Sequence, residues 1–407
     1  MLATLIPFFD KNMKVSAYSL FSQKQNYLLD PASQGFGRND GAGRVNGLEI
    51  IQSMGIDTLS PGTDVFVPVS NIAVFSDIDE QCGEQRSQLV LLFDNSVPNE
   101  LMYIKRLIEL KQAGYKFAAR KIPIAEFEQR KEFLKLMDYI ILDCKKIDVM
   151  KAKLYFNQVY PNIKICVGNI DSQERFDEYK DDESFSMFEG EFYRLPVTKG
   201  ETTVAPLKAN YLELLKMVND ADFELTKAAD IIGRDTALVL ELLKMVNHMS
   251  VNSGITTIRH AAAMLGQKEL KRWINTAVTK ELCSDRPNEV TRLSLLRAKY
   301  AELLAPLFGQ TPKASELFLM GLFSVLDLIL NLPMEEALKR VNVSKEISNA
   351  LVEKKGDLAP IMNFMEQYEN ANWQEVSRLM IVMNLNMDDV YNAYTESLNW
   401  YRDVFFL

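Results

Sequence analysis

The sequence predicts a multidomain protein, an α/β half followed by an all-α half. Up to about Pro196, strand-like runs such as SQLVLLF and DYIILDC alternate with segments of helical period. From Leu207 onward, no convincing strand pattern occurs and helical patterns run to the end. The intervening stretch PVTKGETTVAP is polar and contains two prolines and a glycine, as expected of a domain boundary. We therefore predict one domain at residues 1–197 and a helical domain at residues 198–407.

The α/β half predicts a largely parallel sheet, because strands alternate with helices. Seven strand candidates can be counted, from VSAYSLF to FSMFEG. The best-defined helix, Asn99 to Ala113, ends at Gly114, which suits a C-terminal cap. Its predicted apolar face comprises Leu101, Ile104, Leu107, Ile108 and Leu110.

The net charge and the cysteine pattern disfavour several classes of function. The net charge of −9 disfavours sequence-independent binding to nucleic acids and adsorption to anionic membranes. None of the four cysteines is in a Cys-x-x-Cys pair, so we expect no zinc ribbon, no redox pair and no cofactor. The most apolar run, Leu317 to Leu332, is short for a membrane span and contains Asp327, so we predict a buried helix there. The N-terminus lacks a signal-peptide pattern, and a cytoplasmic protein is the expectation.

Several segments of the helical half resemble a known protein family. The segments AADIIGRD, LLKMVN and ITTIRHAAAMLG resemble the HDOD domain over about Leu207 to Glu281. The HDOD domain is a bacterial module related to HD phosphohydrolases that lacks their metal-binding pattern. The helical remainder resembles the tail that accompanies this domain in one subgroup, where it follows an N-terminal EAL domain.

The first half is similar to the EAL family over about Leu5 to Pro196. IPFFDKNMKVSAYSLFSQ resembles the opening strand pair of that family, and FEGEFYRLP resembles its closing motif. The resemblance implies a modified TIM barrel, a fold whose active members hydrolyse cyclic di-GMP with divalent metals. Because this half is short and shows seven strand candidates, we expect an incomplete or distorted barrel.

The residues that carry the family's chemistry are replaced early in the chain. Ser19 stands where the resemblance places the glutamate that names the family, and Gln23 stands in place of an arginine. Leu92 and Asn95 occupy positions where acidic residues are expected. Metal-assisted hydrolysis needs carboxylates that converge on Mg²⁺ or Mn²⁺, and these four residues supply none.

The family's paired aspartates align with two cations, Arg120 and Lys121. Replacing two anionic ligands with two cations inverts the local field, so a divalent metal would meet repulsion.

Later family positions are also changed. Ile141 aligns near the family's lysine, and Gly168 replaces a glutamate. Asp171 stands at the position of a later glutamate, and Glu189 replaces the glutamine of the closing motif. Asp143 persists, but Asp143 and Asp171 alone do not make a two-metal site. We therefore expect no bound metal and no catalysis, and we expect the protein to act through a protein partner or by self-association.

A receptor that binds cyclic di-GMP without cutting it is the alternative. Arg120, Lys121 and Asp143 would then contact the ligand, together with Arg38 and Arg44 from a glycine-rich loop. That loop, Gly35 to Gly47, lacks a phosphate-binding fingerprint, which favours a surface loop. The family's nucleotide-contacting glutamine and arginine positions also read Ile6 and Gln23, against nucleotide binding.

Two further features of the sequence bear on function. His248 and His260 cannot rebuild an HD metal site, so a hydrolase in the helical half is a third and weaker hypothesis. The chain ends in an aromatic cluster that either docks onto the helical core, the favoured interpretation, or forms a partner-binding tip. The cluster comprises Trp400, Tyr401, Phe405 and Phe406.

Overall fold

The chain forms two compact units, the first made of Met1–Leu195 with Asn363–Leu407 and the second of Pro196–Met362. The C-terminal helices therefore group with the first half of the chain, whereas we expected residues 198–407 to form one helical domain. The computed structural model describes residues 1–24, 26, 28, 45–60, 62–82, 85–197, 206–220, 222–233, 235–249, 257–284 and 288–406.

Eight strands close into a barrel in chain order. The first strand is antiparallel to its two neighbours, and all other pairs are parallel. The predicted modified TIM-like barrel is confirmed, but the expectation of an incomplete barrel with seven strands is wrong. The strand missing from that count is the first one, a continuous apolar run without alternation. The strands are β1 Leu2–Phe9, β2 Val15–Gln23, β3 Asp64–Pro68, β4 Leu89–Phe93, β5 Lys116–Arg120, β6 Tyr139–Asp143, β7 Lys164–Ile170 and β8 Phe185–Gly190.

Helices follow the strands along the chain, as the alternating pattern predicts. The helix that follows β4 buries Leu107 and Leu110, but Leu101 is 70% exposed and Ile108 is 39% exposed. The predicted apolar face is therefore only partly buried. These helices are α1 Leu48–Met54, α2 Ile56–Leu59, α3 Ile78–Cys82, α4 Leu101–Gln112, α5 Lys131–Leu134, α6 Val149–Val159 and α7 Gln173–Tyr179.

The interior of the barrel is a packed apolar core. Since successive side chains of a strand point to opposite faces, the members of this core also show which residues of each strand point inward. The core consists of Phe8, Ala17, Phe66, Val90, Leu92, Ala118, Tyr139, Ile141, Cys166 and Met187.

The second unit is helical in all of its described secondary structure. The apolar run predicted as one buried helix forms two, and Asp327 between its leucines is buried. Its carboxylate accepts a hydrogen bond from the amide of Val197 at 3.2 Å. Within the described residues no helix is both long and apolar enough to span a membrane. The helices are α8 Pro206–Val218, α9 Leu225–Ile232, α10 Thr236–Met249, α11 Ile258–Leu282, α12 Asn288–Leu304, α13 Ala314–Phe323, α14 Leu326–Leu330, α15 Met334–Lys339 and α16 Lys345–Ser348, followed by a π-helical turn, Asn349–Glu353.

Three final helices lead to the C-terminus: α17 Ala359–Glu369, α18 Trp373–Val382 and α19 Met387–Phe406. We call residues 363–406 the C-terminal cap, because a residue of each of these three helices contacts the first residues of β1 or the last residue of β2. The last helix packs on β1 and α2.

Candidate functional site at the barrel mouth

The mouth of the barrel is the end where the parallel strands finish, and it is where barrels of this kind place their chemistry. The inward-facing residue of each strand follows from the core below it by the period of two. Two residues beyond Ala17, Ala118, Ile141, Cys166 and Met187, the strands place five inward-facing residues at the mouth. They are Ser19, Arg120, Asp143, Gly168 and Glu189.

Two of the positions where the EAL resemblance expects polar ligands belong to the apolar core. Leu92 is 2% exposed and Ile141 is 4% exposed, and both pack in the interior cluster. A charge at either position would be buried without a partner, at a high cost in free energy. These positions serve packing.

The adjacent cations Arg120 and Lys121 are placed differently. The guanidinium of Arg120 lies 5.3 Å from the centroid of the Phe21 ring, inside the mouth. Its Nε and Nη1 atoms are buried and have no hydrogen-bond partner within the described part of the chain. Lys121 has a left-handed backbone, with φ 56°, and is exposed. Only Arg120 therefore contributes its charge to the interior.

Glu189 is a buried carboxyl group beside Arg120. It is 7% exposed and accepts a hydrogen bond from the amide of Asn169, whereas its Oε2 has no partner among the described residues. Burial raises the pKa of Glu189; the charge of Arg120 lowers it in part, and the charge of Asp143 raises it further. The mouth therefore favours the neutral form of this group.

Gly168 makes room for that carboxyl group. A Cβ atom added at Gly168 would lie 3.0 Å from Oε2 of Glu189 and 3.0 Å from Cγ2 of Ile141. The glutamate that the family resemblance expects at this position would therefore not fit unless its neighbours moved. The three residues form one packed arrangement.

The two remaining aspartates are engaged by nearby main-chain and cationic groups. Oδ1 of Asp143 accepts a hydrogen bond from the amide of Lys145 at 3.0 Å, and Asp143 is only 13% exposed. Asp171 lies at the surface, 3.4 Å from Nζ of Lys145 and 3.5 Å from Nη1 of Arg175. Among the residues that the structure describes, no three His, Cys, Asp or Glu side chains are grouped so as to hold a metal ion.

Ser19 and Gln23 are both buried on the inward face of β2, with 1% exposure each. Oγ of Ser19 has no hydrogen-bond partner in the described chain. Gln23 donates from Nε2 to Oγ of Ser377 at 3.0 Å. Asn95 lies apart from them at the surface, where its carbonyl oxygen accepts from Arg130 at 3.0 Å.

Sequence reasoning missed the residues of the C-terminal cap that reach this mouth. Strand β1 pairs with β8 at only two positions, Phe8 and Phe9, so its first residues lack a strand partner on that side among the described residues. The amide of Ala3 instead donates to the hydroxyl of Tyr368 at 3.2 Å. The hydroxyl of Tyr394 lies 3.4 Å from Oγ1 of Thr4.

Ion pairs and polar contacts fix the cap at the same end. Arg194, which follows the end of β8, lies 3.4 Å from Glu369 and also hydrogen-bonds Asn370. Asn26, which follows the end of β2, donates to the carbonyl oxygen of Ser377 at 3.1 Å. The only sequence signal for this docking is the aromatic content of the last helices, which we assigned to the helical core.

The other predicted residues add little to this site. Arg38 and Arg44 lie outside the described residues, as do the side chains of His248, Phe405 and Phe406. His260 is exposed. Trp400 and Tyr401 are half-buried on α19, so this end of the chain docks on the first unit.

Comparisons with known proteins support the division into two parts. Residues 204–355 match the model of the HDOD domain. The chain is 27% identical over 404 residues to the Bacillus subtilis protein YuxH, covering 97% of this chain and 96% of YuxH. It is 25% identical over 330 residues to the cyclic di-GMP phosphodiesterase CdgJ of Vibrio cholerae, covering 78% of this chain and 74% of CdgJ.

A search of solved structures returns the EAL-like domain protein YdiV, at 15% identity and a TM-score of 0.35. That match covers 46% of this chain and 88% of YdiV. The match to the HDOD domain model falls within the helical second unit.

Proposed function

We propose that this protein is a catalytically inactive signalling protein that acts through protein–protein contacts in a cyclic di-GMP-related pathway. The observation that carries the proposal is the composition of the barrel mouth. Leu92 and Ile141 belong to the apolar core, and Arg120 occupies the interior where the EAL resemblance expects an aspartate. A divalent cation would meet a guanidinium there instead of a ring of carboxylates.

The name of one relative supports the pathway. CdgJ is named as a cyclic di-GMP phosphodiesterase, and this chain shares most of its length with CdgJ and with YuxH. Retained apolar packing beside altered polar positions is what we expect when a fold is kept for its surfaces after its chemistry is lost. Cytosolic partner proteins, or a second copy of this chain, are the proposed binding partners.

A hydrolysis assay tests the first part of this proposal. Purified full-length protein is incubated with cyclic di-GMP and either Mg²⁺ or Mn²⁺, with CdgJ as the positive control. We expect no turnover above the blank. Turnover that is abolished by Asp143→Ala would overturn the proposal, because it would show that this aspartate still supports a working metal site.

A non-hydrolysing sensor of cyclic di-GMP is the second candidate, and one observation favours it. The buried Nε and Nη1 atoms of Arg120 have no hydrogen-bond partner in the described residues and could meet a phosphate oxygen. Calorimetry with cyclic di-GMP separates the two candidates, since the inactive scaffold gives no binding heat.

The structure offers a matched pair of variants for that calorimetry. Arg120→Glu and Lys121→Glu make the same change in charge at neighbouring positions, one inside the mouth and one exposed. Binding lost in the first variant and kept in the second would establish the sensor. Equal loss in both would indicate non-specific attraction of the anion.

A pull-down from the native bacterium addresses the protein partners. The full chain is used as bait, and its own oligomeric state is measured by light scattering. A bait that recovers no partner and remains a monomer at working concentration would contradict action through protein contacts.

A further inference from the structure

We infer that the C-terminal cap is a gate on the barrel mouth, which closes over the polar residues there and opens without unfolding of the barrel. The inference concerns access to the mouth, and it holds whether the protein is inactive, a sensor or an enzyme. It goes beyond the proposed function, which assigns no role to the cap.

The cap meets the inner face of the barrel rim. Thr4 and Phe21 are direct partners across β1 and β2, four residues from the core pair Phe8 and Ala17. Side chains four residues apart on a strand point to the same face, so Thr4 and Phe21 face inward. Gln23 faces inward for the same reason.

Residues of the cap contact the inward-facing side chains of Thr4 and Gln23. Ser377 of α18 accepts from Gln23 at 3.0 Å, and Tyr394 of α19 lies 3.4 Å from Thr4. Thr4 is 2% exposed and Gln23 is 1% exposed. Polar side chains at the mouth of a barrel would ordinarily meet solvent, and here they are covered by the chain's own C-terminal helices.

Three residues at the mouth have buried polar atoms without hydrogen-bond partners in the described part of the chain. These atoms are Oγ of Ser19, Nε and Nη1 of Arg120, and Oε2 of Glu189. Buried polar groups without partners are costly and rare in native proteins. Opening the mouth would expose these atoms to water or to a polar ligand. Their solvation stabilises the open form and so reduces the free-energy cost of opening.

Several contacts between the cap and the rim are polar. The hydrogen bonds to Ala3, Thr4 and Gln23 and the contacts of Arg194 can all exchange with water when the cap moves. The barrel beneath has its own closed ring of eight strands and its own apolar core. The cap can therefore open while the barrel stays folded.

Thiol labelling in the full-length chain tests this inference. A Cys144→Ser background removes the half-buried native thiol, and Ser19→Cys places a new thiol on the inward face of β2, four residues before Gln23, which bonds Ser377 of the cap. Cys166 is fully buried in the barrel core and reports global unfolding as an internal control. Labelling by a maleimide is measured at both positions by peptide mass spectrometry.

We expect the thiol at position 19 to react at least ten-fold faster than Cys166, yet far more slowly than an exposed thiol. Adding Ser377→Ala and Tyr394→Phe removes two cap hydrogen bonds and should raise labelling at position 19 by about ten-fold. Tyr155→Phe is the matched control, since the hydroxyl of Tyr155 bonds Glu128 at the exposed surface. It should leave labelling at position 19 unchanged.

Three results would overturn the gate. Equal rates at position 19 and Cys166 would show that opening requires global unfolding. A rate equal to that of an exposed thiol would show that the mouth is never closed. A rate unaffected by the two cap substitutions would show that these contacts do not hold the cap.

Amide exchange in the unsubstituted protein provides a second measurement if a variant fails to fold. The amide of Ala3, bonded to Tyr368, should exchange faster than that of Ile140 in β6, a strand that pairs with a neighbour on both sides. Equal exchange of the two amides would contradict separate opening of the cap.

Discussion

Nε2 of Gln23 donates a hydrogen bond to Oγ of Ser377 at 3.0 Å, although 354 residues separate the two in the chain. The bond joins the end of β2 to helix α18. The C-terminal helices belong to the same compact unit as the barrel, and the residues that match the HDOD model, 204–355, lie between the two segments of this unit in the sequence. The following predictions test this arrangement and the composition of the mouth.

Loss of the Tyr368 hydroxyl should weaken the attachment of β1 to the cap. Tyr368→Phe keeps the ring but removes the acceptor of the buried Ala3 amide. An unsatisfied buried amide costs about 1–3 kcal/mol, and urea denaturation should show a loss of this size. Tyr155→Phe removes an exposed hydroxyl and should cost less than about 0.5 kcal/mol. Equal losses in the two variants would show that the bond to Ala3 contributes nothing specific.

Restoring an acidic residue at position 92 should destabilise the barrel without creating a site. Leu92 is packed in the core, so Leu92→Glu would bury an ionisable group without a partner. We expect the free energy of unfolding to fall by about 3 kcal/mol or more. Leu92→Met preserves an apolar side chain of similar size and should cost less than about 1.5 kcal/mol. A Leu92→Glu protein as stable as the Leu92→Met protein would place this residue outside the core.

The buried carboxyl group of Glu189 should give stability a definite dependence on pH. Its pKa is raised in the folded protein, so its contribution is fully present below the unfolded value and is lost as the pH rises through the folded pKa. Glu189→Gln removes this loss. The stability of the variant relative to wild type should therefore increase as the pH rises from the unfolded value of 4.5 through the folded pKa, by about 1.4 kcal/mol in total for each unit by which the folded pKa is raised.

Urea denaturation at several pH values measures that gap. Glu191→Gln is the control, because it removes a nearby carboxyl group that is more than half exposed. A gap between wild type and Glu189→Gln that does not widen as the pH rises above 4.5, the ordinary value for this group, would contradict the raised pKa.

In the second unit, two helices pack so closely at Gly321 that a larger residue there should destabilise the protein. A Cβ atom at Gly321 would lie 2.3 Å from the carbonyl oxygen of Arg297, so Gly321→Ala must push α13 away from α12. We expect a loss of about 3 kcal/mol or more, as for other overpacked cores.

Gly309→Ala is the matched control for that substitution. Gly309 has a left-handed φ of 67° but open space around its Cα, so alanine there should cost only about 1–2 kcal/mol of backbone strain. Thermal unfolding of both variants provides the comparison. A smaller loss at Gly321 than at Gly309 would mean that the two helices can separate freely.

Much of the fold could be predicted from the sequence, because local patterns report burial. The period-two and helical-period segments predicted the strand and helix order, and the PVTKGETTVAP stretch predicted a boundary where the structure changes units at Pro196. The strand Leu2–Phe9 was left out of the count of strand candidates because its largely apolar run has no alternation to mark it, although the EAL resemblance places a strand pair there. Leu101 was assigned to a buried face because its spacing is helical, but spacing cannot say how wide the covered stripe is.

The candidate site was predicted only in part. The EAL resemblance aligns Arg120 and Lys121 with two aspartates, and both cations were expected to act together. A left-handed backbone at Lys121 turns it to the surface and leaves Arg120 alone in the mouth. The role of Gly168 in accommodating Glu189 also depends on the register of β7 and β8, which no local pattern specifies.

The sequence by itself determined the two fold types, their order and the residues that stand at each strand end. Only the tertiary structure decided that the barrel closes with eight strands and that the C-terminal helices lie on its mouth. The physical reason is the distance along the sequence between the residues that make these contacts. Periodicity reflects contacts within a few turns or strand residues, whereas the bonds from Ala3 and Gln23 to the cap join residues more than 350 positions apart and leave no mark on neighbouring sequence.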